Sequence, residues 1–162
     1  MSNIKIVKST VQAKMVVDFL CSIEAFNLEM NDFRVKARKE AVLRSLKNSN
    51  CRYWYVKNKN NKVIAAIGEA ENERENGGYY LDYFAVRKSS RRRGLGSSLL
   101  GEAEKYVRQR GGRFILIDTG DTKEFLAARK FYLKNGYFQV GHIPEYYDVN
   151  DGRIDYYKKI SN

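Results

Sequence analysis

Between Ala85 and Leu100 the chain reads AVRKSSRRRGLGSSLL. Four arginines and one lysine lead into Gly94-Leu95-Gly96 and then a helix-like run. A glycine lets backbone approach a ligand closely because it has no Cβ. The start of a helix carries unpaired N–H groups and the positive end of the helix dipole, which together favour an anion. Arginine side chains add charge-assisted hydrogen bonds to phosphate oxygens. Residues 91–97 therefore read as a pyrophosphate cradle, although a solvated surface turn would have the same composition. Two familiar phosphate loops do not fit. A P-loop needs Lys-Ser/Thr directly after its last glycine, and Ser97-Ser98 follow Gly96 here. A dinucleotide G-x-G-x-x-G needs glycine where Leu99 stands.

The other reactive side chains are few. Cys21 and Cys51 make no disulfide framework and read as inert reduced thiols. With one histidine, His142, and no Cys/His cluster, no metal is expected. The formal net charge of +11 favours an acidic partner, such as a phosphorylated cofactor or nucleic acid, without choosing between them. The opening MSNIKIVKST lacks the apolar core of a signal peptide, and no apolar run is long enough to span a bilayer. A cytoplasmic protein with no membrane partner is expected.

At 162 residues the chain suggests one domain. NIKIVK alternates as a strand. Thr10 is placed to cap a helix whose Met15, Val16, Phe19, Leu20 and Ile23 recur on one face. A second helix fits 32–48. Strands at 52–57 and 62–71 flank an Asn/Lys turn, and YYLDYFAV, 79–86, is a buried strand. The basic loop follows, then a helix over 97–110 closed by Gly111-Gly112. RFILID is a strand. DTKEFLAARKFYLKNG is a helix capped by Asp121 or Thr122, and YFQVGHI and RIDYYKKI are strands around a turn at Asn150-Asp151-Gly152. The strand–helix–strand unit at 79–118 implies a parallel pair with a right-handed crossover. The fold class is α/β: a mixed, mostly antiparallel sheet flanked by helices.

Two segments carry a family resemblance. Arg91-Arg92-Arg93-Gly94-Leu95-Gly96, after a strand ending Ala85-Val86, resembles motif A of the GNAT superfamily of N-acetyltransferases. AARKFYLKNGY, 127–137, is similar to motif B, a helix with an aromatic-Tyr pair that ends in Gly-aromatic. The resemblance implies a single N-acetyltransferase domain over 1–162, with acetyl-CoA as donor and a splayed parallel strand pair at the donor site. It assigns donor contacts to Phe84, Ala85, Val86, Arg91, Arg92, Arg93, Gly94, Leu95, Gly96, Ser97 and Tyr132. Backbone N–H groups of Arg91, Arg93, Gly94, Gly96 and Ser97 would hold the pyrophosphate, and the main chain of Phe84 and Val86 would face the pantetheine. Many members place an asparagine seven residues before the motif B tyrosine. Phe125 stands there, so that contact is not carried over.

Acetyl transfer to an amine needs a base, because an ammonium with a pKa near ~10.4 is barely deprotonated at neutral pH. It also needs an acid for the departing thiolate. The resemblance gives the acid role to Tyr132, with packing beside pantetheine as the alternative. Asp82, on the face it shares with Phe84, is the first choice for the base, with Glu69 and Glu71 on or near the end of the neighbouring strand and a water chain as a further route. The resemblance implies an acceptor cleft along 24–35, 72–78 and 143–152, which hold Glu24, Glu29, Asp32, Glu145, Asp148 and Asp151. Such segments suit the cationic amine of a small molecule or peptide. A non-catalytic acetyl-CoA sensor and a basic nucleic-acid- or ribosome-binding module on the same fold are the alternatives. No RNA-binding signature supports the second. Either a monomer or a homodimer is compatible with the sequence.

Overall fold

The structure is a computed structural model and describes residues 3–29 and 31–160. Residue 30 of the expected acceptor segment and the first two residues of the chain lie outside it. Among the described residues, seven strands and four α-helices form an α/β fold with a mixed sheet. The strands are β1 (Ile4–Ile6), β2 (Cys51–Lys57), β3 (Val63–Glu71), β4 (Gly78–Val86), β5 (Phe114–Gly120), β6 (Phe138–Asp148) and β7 (Asp151–Lys159). The helices are α1 (Thr10–Cys21), α2 (Phe33–Arg44), α3 (Leu95–Gln109) and α4 (Leu126–Lys134). Two compact units are built from them: residues 1–71 with 82–106, and residues 72–81 with 107–162.

In the first unit the strand order is β1-β2-β3, followed by the second half of β4. β1 and β2, and β2 and β3, are antiparallel. Alternation along β2 sends Tyr53 and Tyr55 into a core with Val16, Leu20 and Val42 of α1 and α2. Trp54 points the other way and meets Tyr106 of α3 edge to face, 5.4 Å between centroids. Helices thus cover both faces, because both faces of β2 are apolar. α1 is capped by Ser9, whose hydroxyl accepts the Gln12 N–H, so Thr10 is the first helical residue and not the cap. α2 starts at Phe33, with Asp32 as its cap, and stops at Arg44, short of the expected 48. There the Leu46 and Lys47 N–H groups bond carbonyls three residues back and tighten the chain out of the α-helix.

In the second unit the order is β4-β5-β7-β6. The β4–β5 pair is parallel, as expected, and its ladder takes in only the first three residues of each strand, Gly78–Tyr80 with Phe114–Leu116. β7 is antiparallel to both β5 and β6. The last hairpin differs from the reading above. β6 runs through Pro144 to Asp148, and the turn is Val149-Asn150, with Asn150 at φ 59°. Asp151 and Gly152 already belong to β7. A strand paired on one side only tolerates the missing proline N–H. α4 is entered through a 3-10 turn at Lys123–Phe125. Thr122 precedes that turn without a side-chain cap bond, and Asp121 is engaged elsewhere.

Candidate active site

The basic loop lies wholly in the first unit. β4 ends at Val86, a 3-10 turn takes Lys88–Ser90, and α3 begins at Leu95, two residues earlier than expected. The first α-helical bond runs from the Ser98 N–H to the Gly94 carbonyl at 2.9 Å. The N–H groups of Leu95, Gly96 and Ser97 therefore precede the helical ladder. Arg92 at φ 60° and Gly94 at φ 75° turn the chain into this end. A Cβ at Gly94 would meet nothing within 4 Å, so the space before the helix is open. Leu95, Leu99 and Leu100 are buried and anchor the first turns, while Arg91, Arg92 and Arg93 are exposed. The Arg91 Nε donates to the Val86 carbonyl at 2.9 Å, so this arginine also braces the loop against the strand before it. Open space, unpaired helix-start N–H groups and exposed guanidinium groups fit a pyrophosphate.

The same unit holds Asp82. Tyr53 donates its hydroxyl to Asp82 Oδ2 at 3.1 Å, and Arg44 Nη2 reaches the same oxygen at 3.2 Å. A Cβ on Gly68 would stand 2.2 Å from the Tyr53 ring, so a glycine in the middle of β3 makes room for it. Burial and the Asp82 charge hold the Tyr53 phenol well above the usual tyrosine range. Burial also pushes the Cys51 thiol up to about 11, and that of Cys21 upward. Both cysteines are free and buried.

Glu69 of β3 is the outlier. It is 0% exposed, and neither carboxyl oxygen has a hydrogen-bond partner. Burial first, then the charges of Glu104 and Asp82, hold its carboxyl well above the usual carboxylate range. Arg38 is buried as well. Its guanidinium lies between the Phe26 and Tyr83 rings, 4.5 Å from each centroid, and ties the segment after α1 to β4. Of the acidic residues expected along 24–35, Glu24 pairs with Arg87 at 3.6 Å and Asp32 with Arg34 at 2.5 Å. Their charge is already partly met within the chain.

The second unit holds Tyr132. It lies on α4, is 6% exposed and touches the Phe131, Tyr137 and Tyr156 rings at centroid distances of 5.7–6.2 Å. Burial, then Asp118 and Tyr156, push its phenol far above the usual range. Its hydroxyl therefore stays protonated across the whole neutral range. Arg129 fixes the start of α4 by donating to the Gly120 and Thr122 carbonyls, each at 2.8 Å. Phe125 has a packing role, since its ring fills the space a Cβ on Gly120 would need. Asp121 accepts from the Gly152 N–H at 2.9 Å and faces His142 Nε2 at 2.8 Å. Tyr147 donates to Asp118 at 2.5 Å. Sequence reasoning missed the Tyr53–Asp82–Arg44 contact and the Asp121–His142 pair. The one available signal was Gly68, because a glycine inside a strand marks a close approach.

The model of the Acetyltransferase (GNAT) family matches residues 22–137. A Desulfovibrio desulfuricans protein assigned to that family has a TM-score of 0.85 at 20% identity, over 99% of this chain and 100% of its own. An aminoglycoside 6'-N-acetyltransferase complexed with coenzyme A gives 0.75 at 20% identity, over 98% of each chain. The Escherichia coli ribosomal-protein-S18-alanine N-acetyltransferase gives 0.78 at 17%, over 100% of this chain and 96% of its own. No curated protein sequence matches the chain. No helix among the described residues is long and apolar enough to cross a membrane. A family match over most of the chain, which takes in the basic Gly-x-Gly loop at the head of α3, makes this protein a member of the GNAT acetyltransferase family.

Proposed function

We propose that the protein moves an acetyl group from acetyl-CoA directly to an amine of a small molecule or peptide. The observation that carries the reading is the loop from Arg91 to Ser97, where unpaired N–H groups, exposed arginines and an open Gly94 meet at one helix start. Those residues would hold the pyrophosphate, and the main chain of Phe84, Ala85 and Val86 would face the pantetheine. Acetyl-CoA supplies an activated acyl group and a thiolate leaving group. The rest of the chemistry is proton traffic. Asp82, oriented by Tyr53 and Arg44, takes the proton that a cationic amine must lose before it attacks. Tyr132, held neutral by burial, gives a proton to the departing sulfur.

The amine class follows from charge. Glu29, Glu145 and Asp148 are exposed acids in the segments expected to meet the acceptor, in a chain of net +11. Thiol release from acetyl-CoA, measured against amino acids, polyamines, aminoglycosides and peptides with free N-termini or lysines, tests the reading. Release with one class supports it. Acetyl-CoA binding without release from any of them would leave a sensor, and salt-sensitive nucleic-acid binding without acetyl-CoA binding would leave the basic module.

A further inference from the structure

We propose that the cleft between the turn after α3 and the first residues of β5 binds a mononucleotide, at a site apart from acetyl transfer. The cleft has a volume of about 430 Å³ and is lined by Gly111, Arg113, Phe114, Tyr157, Lys159 and Ile160, with no acid in its wall. Pockets for small molecules run from roughly 300 to 1,000 Å³, so the cleft takes one small ligand and no folded partner. Residues 107–117 carry three arginines and no acid, and 156–160 carry two lysines and no acid. Arg108 lies in the last turn of α3, where a cation complements the helix dipole. Arg113 and Lys159 lie beyond that helix, so the dipole does not account for them.

The sheet holds these two cations in place. The Ile160 N–H donates to the Arg113 carbonyl at 2.9 Å, and Lys159 stands directly across from Phe114. Arg113 donates from Nε to the Asn76 carbonyl at 2.7 Å, and its guanidinium lies 5.4 Å from the Phe114 centroid. Its two terminal nitrogens have no hydrogen-bond partner among the described residues. Lys159 is exposed and makes no ion pair among the described residues. A phosphate monoester carries about two negative charges at neutral pH, which two such cations match. The rest of the wall is flat and apolar. Phe114 and Tyr157 stack at 5.4 Å with 27° between their planes, and Ile160 joins them in the wall. A phosphate carried on a flat ring meets both parts, whereas inorganic phosphate meets only the cations. The cleft is not the site of acetyl transfer. Tyr132 touches Tyr156, whose side chain points to the opposite face of β7 from Tyr157. The loop 91–97 belongs to the other compact unit.

Calorimetric titration of the full chain with AMP in an excess of acetyl-CoA tests this. Acetyl-CoA itself carries an adenine nucleotide, so its excess competes for the donor loop and leaves a separate site to be read. The expected result is one AMP bound per chain beside the donor. The double variant Arg113→Ala, Lys159→Ala should lose at least about tenfold in AMP affinity, the equivalent of one charge-assisted bond. Its circular dichroism spectrum and acetyl-CoA affinity should match wild type. No AMP binding beside acetyl-CoA overturns the proposal, and so does a folded double variant that binds AMP as wild type does. Inorganic phosphate or ribose phosphate that binds as tightly as AMP also overturns it, because the ring then adds nothing. A single-stranded oligonucleotide that binds far more tightly than AMP would assign the cations to a nucleic acid and overturn it as well. Hydrogen exchange of the wild type covers the case of a misfolded variant. Amides of 111–114 and 157–160 should exchange more slowly with AMP than without it, and no difference there overturns the site.

Discussion

The Tyr53 hydroxyl donates to Asp82 Oδ2 over 3.1 Å, and the ring that carries it lies in the space a Gly68 side chain would occupy. One missing methyl group on β3 thus sets where a carboxylate on β4 is held. Gly68→Ala would bring a Cβ to 2.2 Å from that ring. Overpacking of this kind costs about 1–3 kcal/mol. The expected outcome is a lower midpoint in urea and a loss of acetyl transfer larger than that of Tyr53→Phe, which removes only the hydroxyl. Equal activity in Gly68→Ala and wild type would show that the Tyr53 position does not matter to Asp82.

Glu69 predicts a pH dependence of stability. Its folded pKa is raised above the unfolded value, near 4.5. The unfolded chain therefore releases this proton at a lower pH than the folded chain does. The stabilising effect of the bound proton is complete below the unfolded pKa and is lost as pH rises toward the folded one. The loss is up to about 1.4 kcal/mol per pH unit in that window. Glu69→Gln removes the titration, so the variant should match wild type near pH 4 and exceed it increasingly from pH 5 upward. Parallel stability curves for the two proteins would contradict a Glu69 carboxyl held above the usual range.

Gly94→Ala separates folding from donor binding. The added methyl meets no atom within 4 Å, and its cost is that of a left-handed residue, about 1–2 kcal/mol. The melting temperature should fall by a few degrees while calorimetric affinity for acetyl-CoA falls at least about tenfold, the equivalent of one lost charge-assisted bond. Unchanged affinity would move the pyrophosphate elsewhere.

The sequence made parts of this site legible, and the reasons are physical. The loop could be read because its arginines and glycines are contiguous and their anion chemistry is local. α3 starts two residues before the expected 97 because the glycines at 94 and 96 read as loop, whereas the Gly94 carbonyl already accepts a helical bond. Arg44, Tyr53 and Asp82 come from three segments, and no periodicity announces their meeting. Glu69 sits at the end of an apolar run, where a carboxylate is ordinarily taken to face water, and only the packing shows it sealed. The strand expected over YFQVGHI runs on through Pro144, because an edge strand does not need the N–H that proline lacks.

Tyr132→Phe removes one hydroxyl from an aromatic cluster whose ring contacts it leaves in place. Stability should change little. General-acid catalysis is typically worth about 10²–10⁴-fold, so kcat should fall by that order while acetyl-CoA affinity stays near wild type. A kcat within a factor of about two of wild type, set against that range, would leave Tyr132 as a packing residue only.

The most direct test of acetyl transfer uses acetyl-CoA labelled in its acetyl group, incubated with the wild-type protein and the amine panel, with products followed by mass. The account predicts labelled N-acetyl product in step with thiol release, strongly reduced in Tyr132→Phe. Donor binding with no label on any amine, including those of folded proteins, would contradict it.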